Sequence, residues 1–172
     1  MTTTPTVDVL SRPIHRVAKE LVASSGFLVA RLGFGFKAKA VARLDQAGYE
    51  IYDYSVLAIL AEGSRETQAT IADALSLDPS RLVALLDSLE ERSLISRLRD
   101  PHDRRRHVVS ITADGTSELT RLRQMVKQVE DEFLAPLDAA DRKAFHALLV
   151  RLAEHNDPRC AFASAGPAKL PS

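Results

Sequence analysis

The stretch from Leu94 to Thr112 restricts this chain more than any other part of it. Two segments in which apolar and polar residues alternate, Leu94–Arg99 and His107–Ile111, flank a turn that contains Pro101. Alternation with a period of two predicts strands, and a short proline-bearing link between two of them predicts a β-hairpin. The link is strongly charged. From Arg92 to His107 there are six arginines against two aspartates, a local balance of +4 in a chain whose formal net charge is zero. A run of this kind is compatible with a solvated face. At the tip of a ribbon it is also suited to the narrow, negative minor groove of DNA.

What precedes the hairpin decides between these uses. Thr67 is placed to cap a short helix through Leu75, with Ile71, Ala72 and Leu75 facing inward. Ser76-Leu77-Asp78 reads as a turn, and Asp78-Pro79 supplies an N-cap and a proline for the first position of a helix reaching about Arg92. In that helix Leu82, Leu85, Leu86 and Leu89 share one face, and Ser80, Ala84, Asp87, Ser88 and Glu91 the other. Helix, three-residue turn and helix form a helix-turn-helix, in which the second helix enters the major groove by its N-terminal end. This puts Ser80 and Arg81 at the bases, with Ala84 small enough to let them approach. Arg81 ranks above Ser80 because a guanidinium pairs bidentately with guanine, whereas a hydroxyl discriminates poorly; contact with a phosphate or solvent alone is the other use open to it. Arg97, Arg99, Arg104 and Arg106 are expected to meet phosphates, which position a protein on DNA without specifying sequence.

Asp100-Pro101-His102-Asp103-Arg104-Arg105-Arg106, followed by Ile111-Thr112 and Gly115, resembles the wing signature of the MarR family of winged-helix transcription regulators. The family pattern, Asp-x-Arg, five residues, then Leu-Thr, falls on Asp103, Arg105, Ile111 and Thr112, with isoleucine standing for leucine. The similarity runs in register from about Arg16 to His155. The resemblance implies that Arg105 enters the minor groove and that Asp103 orients its guanidinium. It also implies a homodimer formed by the terminal helices, and repression as the commoner outcome. Members of the family commonly bind small amphipathic or aromatic anions between the dimer helices and the DNA-binding domain, and then lose their grip on DNA. Arg12, His15 and Arg16, with Tyr52 and Tyr54, could supply charge and an aromatic wall to such a cleft; solvated arginines and core tyrosines are the alternative.

The remaining segments read as helices. From Arg12 to about Leu44, Val17, Leu21, Val22, Leu28, Val29, Leu32 and Phe36 recur at near-helical spacing. Unbroken, this helix would span roughly 45–50 Å. Gly26, Gly33 and Gly35 lie inside it, compatible with a bend, with close approach of a partner helix or with room for a ligand. Gln46–Tyr49 breaks the pattern, and Asp53 can cap a helix over Tyr54–Glu62 that Gly63-Ser64 ends. Thr112 caps a helix to about Leu134, with Leu119, Leu122, Val126, Val129 and Phe133 in a stripe of coiled-coil spacing. After Pro136, Asp138 caps a last helix carrying Phe145, Leu148, Leu149 and Leu152 to near His155. The terminal helices hold more apolar surface than a small winged domain needs for its own core, so pairing with a second copy is expected.

The expected fold is therefore mainly α with a small β-hairpin wing, a winged helix-turn-helix plus a helical dimerisation region. Its divisions are a flexible N-terminus (1–11), a dimerisation helix (12–48), the DNA-binding domain (49–112), C-terminal dimerisation helices (113–155) and a mobile tail (156–172). A twofold dimer predicts an imperfect palindrome on double-stranded DNA, with half-sites roughly 10 bp or about 34–36 Å apart.

Other functions find little support. No glycine-rich phosphate loop or metal-spaced His/Cys cluster occurs, and the five histidines are scattered, so neither an enzyme nor a cofactor or metal is expected. The single cysteine, Cys160, allows no internal disulfide and fits a reducing compartment. Peroxide-sensing members of the resembling family carry a reactive cysteine near the N-terminus, where this chain has none. Met1–Val9 does not read as a signal peptide, and Gly26–Phe36 is far shorter than the roughly 20 residues of a membrane helix, so a cytoplasmic protein without membrane contact is expected. The competing class is a winged-helix module that binds another protein. Steep weakening by salt separates DNA binding from that alternative.

Overall fold

The computed structural model describes residues 16–62, 66–99 and 107–160, at 99 and 107 the backbone only. The elements are α1 (Lys19–Ala23), α2 (Ser25–Asp45), α3 (Ile51–Ala61), β1 (Glu66–Thr67), α4 (Gln68–Leu75), α5 (Pro79–Glu91), β2 (Ile95–Arg99), β3 (His107–Ile111), α6 (Ala113–Phe133) and α7 (Ala139–Asn156). A 3-10 turn, Pro158–Cys160, follows α7. Mainly helical with one small antiparallel sheet, the chain has the fold class expected.

Packing divides the chain between Gly35 and Phe36, inside α2. In the first unit the long N-terminal helix is interrupted, and the interruption falls on a serine rather than a glycine. Ser24 is extended (φ −87°, ψ 116°), and its hydroxyl accepts the Phe27 N–H at 3.3 Å, so it ends α1 and caps α2. Gly26 and Gly33 are ordinary helical positions, with open space or loose contact where a Cβ would stand. Leu21, Val22, Leu28, Val29, Leu32 and Phe34 are exposed, Phe34 by 77%.

The second unit is organised around one core. Leu44, Val56, Leu57, Ile71, Leu82, Leu86, Leu89, Val109, Leu119 and Leu122 are almost completely excluded from solvent. Thus α6 does not stand apart from the winged domain. Its Leu119 and Leu122 belong to the same core as the leucines of α5, and Val129 is buried further along it. The stripe predicted to pair with another helix is used, from Leu119 to Phe133, inside the monomer. On α7, by contrast, Leu148, Leu149 and Leu152 are exposed. Phe36 meets Phe133 edge to face, centroids 5.6 Å apart, and Arg43 lies 3.6 Å from Glu132, which ties the C-terminal part of α2 to α6.

Local chemistry explains most helix ends. Thr67, Asp78, Thr112 and Asp138 accept backbone N–H bonds from the first turns of α4, α5, α6 and α7. At α3 the expectation requires correction. The helix begins at Ile51, three residues earlier than predicted; Glu50 is its N-cap, and Asp53 sits inside the first turn, its carboxylate accepting the Glu50 N–H at 2.7 Å. An acid at the third position satisfies a free donor as well as an N-cap residue does.

Asp53 is also buried, and burial, before any other influence, pushes its carboxyl above the usual range; the charge of Glu50 adds to this, while the Glu50 N–H and Arg92 oppose it. A carboxyl whose folded pKa exceeds its unfolded one favours the folded state fully below the unfolded pKa and loses that contribution as pH rises through the folded one. Asp53→Asn keeps an acceptor for the Glu50 N–H without the buried charge. Urea unfolding at fixed protein concentration is expected to show matching stabilities near pH 3 and a growing advantage for the variant as pH rises toward neutrality. A constant difference across that range would refute the assignment.

The sheet has the order β1-β3-β2 and is antiparallel throughout. β2 and β3 pair from Ile95 opposite Ile111 to Arg99 opposite His107, the predicted hairpin. β1 adds two residues, Glu66 and Thr67, opposite Val109 and Val108. It is too short to show alternation, and nothing in the sequence announces it.

Candidate nucleic-acid interface

The turn between α4 and α5 is closed by backbone bonds. Ser76 takes a left-handed conformation (φ 51°), which lets its N–H reach the Asp73 carbonyl while the Leu77 N–H reaches that of Ala72. Asp78 then caps α5, accepting both the N–H and the hydroxyl of Ser80; these bonds hold its carboxyl below the usual range. With Leu82, Leu85, Leu86 and Leu89 buried, α5 presents Ser80, Arg81, Val83, Ala84, Asp87 and Ser88 outward. Ser80 is thus occupied by its own cap. Val83 escapes a reading of the sequence, because it follows the leucine face by one residue; 41% exposed, it offers an apolar contact suited to a thymine methyl.

Two clasps hold α5 against the rest. At its C-terminal end Arg92 stacks on Tyr49, 3.7 Å from the ring centroid, and donates to the Gly48 carbonyl at 3.2 Å. Tyr49 is buried, and burial, followed by its hydrogen bond to Glu118, pushes its phenol above the usual range. Along its side, Asp87 and Glu90 hold Arg97 of β2. Arg97 Nη2 lies 2.6 Å from Asp87, Nε lies 2.8 Å from Glu90, and the Arg97 backbone N–H donates to Glu90 at 3.0 Å. Glu90 therefore satisfies a donor on the edge strand as well as the guanidinium, and its hydrogen bond is the leading reason that Arg97 is even harder to deprotonate than usual.

Arg97, expected to meet a phosphate, is engaged within the fold: its side chain is only 21% exposed and its charge is met by two carboxylates, so it joins the ribbon to α5. Arg92 is likewise a structural contact. Arg99 ends β2 opposite His107, with its backbone alone described; Asp103, Arg104, Arg105 and Arg106 fall in 100–106, outside the described residues.

The base of the ribbon is seated on α6. Thr112 donates its N–H to Leu94 at 3.1 Å and its hydroxyl to the Ser93 carbonyl at 2.8 Å, and the same hydroxyl accepts the Gly115 N–H at 2.9 Å. A Cβ on Gly115 would stand 2.0 Å from the Leu94 carbonyl oxygen. The glycine that completes the wing signature is there because two backbones touch.

Of the residues suggested for a small-molecule cleft, the structure separates the two tyrosines. Tyr52 and Tyr54 are half-buried, two positions apart on α3, and line different depressions. Tyr54 borders one of about 660 Å³ with Arg123, Val126 and Lys127 of α6, whereas Tyr52 borders one of about 480 Å³ with Lys37, Glu50 and Arg81. Arg16 is exposed, ahead of α1 in the first unit, and Arg12 and His15 lie outside the described residues. Among the described residues, no group of three His, Cys, Asp or Glu is arranged to hold a metal ion, and no helix is long and apolar enough to cross a membrane.

A helix-turn-helix whose second helix shows a polar, cationic N-terminal end, followed by a ribbon seated on the next helix, defines a winged-helix DNA-binding protein. Comparison with known proteins agrees: residues 51–107 match the model of the MarR family. A protein of Thauera aromatica assigned to transcriptional regulation of the hcr operon is 31% identical over 149 residues, covering 82% of this chain and 89% of its own. CouR of Rhodococcus jostii RHA1, in a structure with p-coumaroyl-CoA, superimposes with a TM-score of 0.65 at 28% identity, covering 79% of this chain and 96% of its own. The repressor CouR bound to a 23-mer DNA duplex gives a TM-score of 0.70 at 28% identity, with coverages of 81% and 99%. The chain belongs to the MarR family and is a transcriptional regulator of that type.

Proposed function

We propose that the protein is a repressor that binds a palindromic operator as a homodimer and releases it when a small amphipathic or aromatic anion binds. The observation that carries the DNA-binding part is the outward face of α5: Arg81 and Ala84 sit clear of the core at the helix end that a helix-turn-helix inserts into the major groove. Arg105 enters the minor groove beside it with Asp103 orienting the guanidinium, and Arg99, Arg104 and Arg106 meet phosphates. A DNA target places the protein in the cytoplasm.

The exposed apolar residues of α1 and α2, and separately those of α7, support the dimer, since large apolar side chains clustered on a helix are ordinarily covered. The anion is supported by the relatives: CouR has a structure with DNA and another with an aromatic acyl thioester. An effector shifts DNA affinity only by as much as its own affinity differs between the two forms of the dimer.

The test is fluorescence anisotropy on duplex tiles from the DNA flanking the gene, at two salt concentrations. Tight binding to one palindromic tile that weakens steeply with salt is expected. Weak, uniform and salt-insensitive binding would move the protein-interaction module to the front.

A further inference from the structure

Without DNA, the arginine assigned to base reading already has partners. The Arg81 guanidinium lies over the Tyr52 ring, 4.8 Å from its centroid, and Nη2 is 3.5 Å from Glu50 Oε2. Both partners belong to the start of α3, so they are carried on ordered backbone. Glu50 is the N-cap, with its N–H bonded to Asp53, and Tyr52 packs against the core. Lys37 and Asp45 of α2 border the same depression with opposite charges.

From this geometry we infer that Glu50 sets the specificity of the complex: it withholds the Arg81 charge from the DNA backbone and yields it to a base edge that offers two acceptors. The inference rests on the reading of α5 as the recognition helix. The Arg81 and Glu50 side chains are 57% and 65% exposed, and a pair so wet is weak and opens readily. Guanine O6 and N7 offer a bidentate partner, which more than replaces it. A phosphate, though it too can accept two N–H bonds, only exchanges one anionic partner of Arg81 for another, and an arginine already neutralised by a carboxylate brings little counterion release. The Glu50 charge, standing beside the reading head, also opposes the approach of phosphates. Non-cognate DNA therefore gains least from Arg81, and cognate DNA most.

The test compares the wild type, Glu50→Gln, Arg81→Ala and the double variant by anisotropy on the preferred duplex and on a scrambled duplex of equal length. A salt series is run on each, and circular dichroism and thermal melting check the fold. Glu50→Gln is expected to bind the scrambled duplex about two- to fivefold more tightly at low salt. Its log–log salt slope there should steepen by about 0.9 for each further phosphate neutralised. The preferred duplex should change less, so that discrimination falls, and the substitution should have no effect in the Arg81→Ala background. An unchanged slope, an equal gain with and without Arg81, or weakened binding to the preferred duplex would each overturn the inference. Wild-type preference for one duplex with an indifferent Glu50→Gln overturns this inference alone, whereas a wild type with no preferred duplex overturns the recognition-helix reading beneath it as well.

Discussion

Gly115→Ala is expected to destabilise the protein by about 3 kcal/mol or more and to lower the melting temperature by roughly 6–12 °C. Within a helix alanine is ordinarily favoured over glycine, so the sign predicted for Gly115, in the first turn of α6, opposes propensity. The cause is the backbone. The added carbon would stand 2.0 Å from the Leu94 carbonyl oxygen and 2.9 Å from Ile111 Cγ1. A flexible side chain could turn away, but the Leu94 carbonyl is held in place, accepting the Thr112 N–H while Thr112 also bonds Ser93 and caps α6. Relief requires the ribbon to lift from α6, which exposes Leu94 and Ile95 and breaks those bonds. Ser117→Ala, two residues further at an exposed position of the same helix, should change stability by no more than about 0.5 kcal/mol. Urea unfolding followed by circular dichroism reads both. Equal, small effects would mean that the ribbon and α6 are not in contact as described.

Gly115 shows what kind of information the sequence holds. It could be recognised as part of a signature with Thr112, but the reason for it, a touch between backbones more than twenty residues apart in sequence, exists only in three dimensions. Features that depend on neighbours in sequence were legible: the Thr67, Asp78-Pro79, Thr112 and Asp138 caps each combine a side chain and a backbone N–H within one turn. The hairpin was legible because its strands alternate on both sides of a turn. Ser24 and Asp53 show the limit. Each is a good capping residue, yet the first interrupts a sustained apolar pattern and the second acts from inside the helix, so spacing alone misplaced both ends.

The candidate interface divides in the same manner. Outward residues of α5 follow from the leucine period, apart from Val83, which the period hides. Which of them are free does not follow. Ser80 is turned back onto Asp78, and Arg81 is held by two residues from α3 about thirty positions earlier. Charge counting also overstated the cation presented by the ribbon. Of the six arginines between 92 and 107, Arg92 is spent on Tyr49 and Arg97 on Asp87 and Glu90. A count treats all six alike, whereas the fold reserves two of them for joining α5 to its surroundings.

That separation yields the second large effect. On the proposed reading, Arg105→Ala weakens binding to every duplex by roughly ten- to a hundredfold, the loss of a charge-assisted hydrogen bond, with a native circular dichroism spectrum and an unchanged melting temperature. Arg97→Ala should do the reverse. Removing its guanidinium takes the shared cation from Asp87 and Glu90, and stability is expected to fall by about 1 kcal/mol, discounted for the half-exposure of Asp87. DNA binding by the folded fraction, however, should keep its salt slope, because an Arg97 that stays with its carboxylates releases no counterion. The slope is the deciding quantity, since an unstable protein loses apparent affinity for trivial reasons but does not change the number of counterions released per binding event. If Arg97→Ala flattens the slope as Arg105→Ala does, then Arg97 leaves its carboxylates when DNA arrives. The ribbon would in that case detach from α5 on binding, instead of moving with it as one reading head.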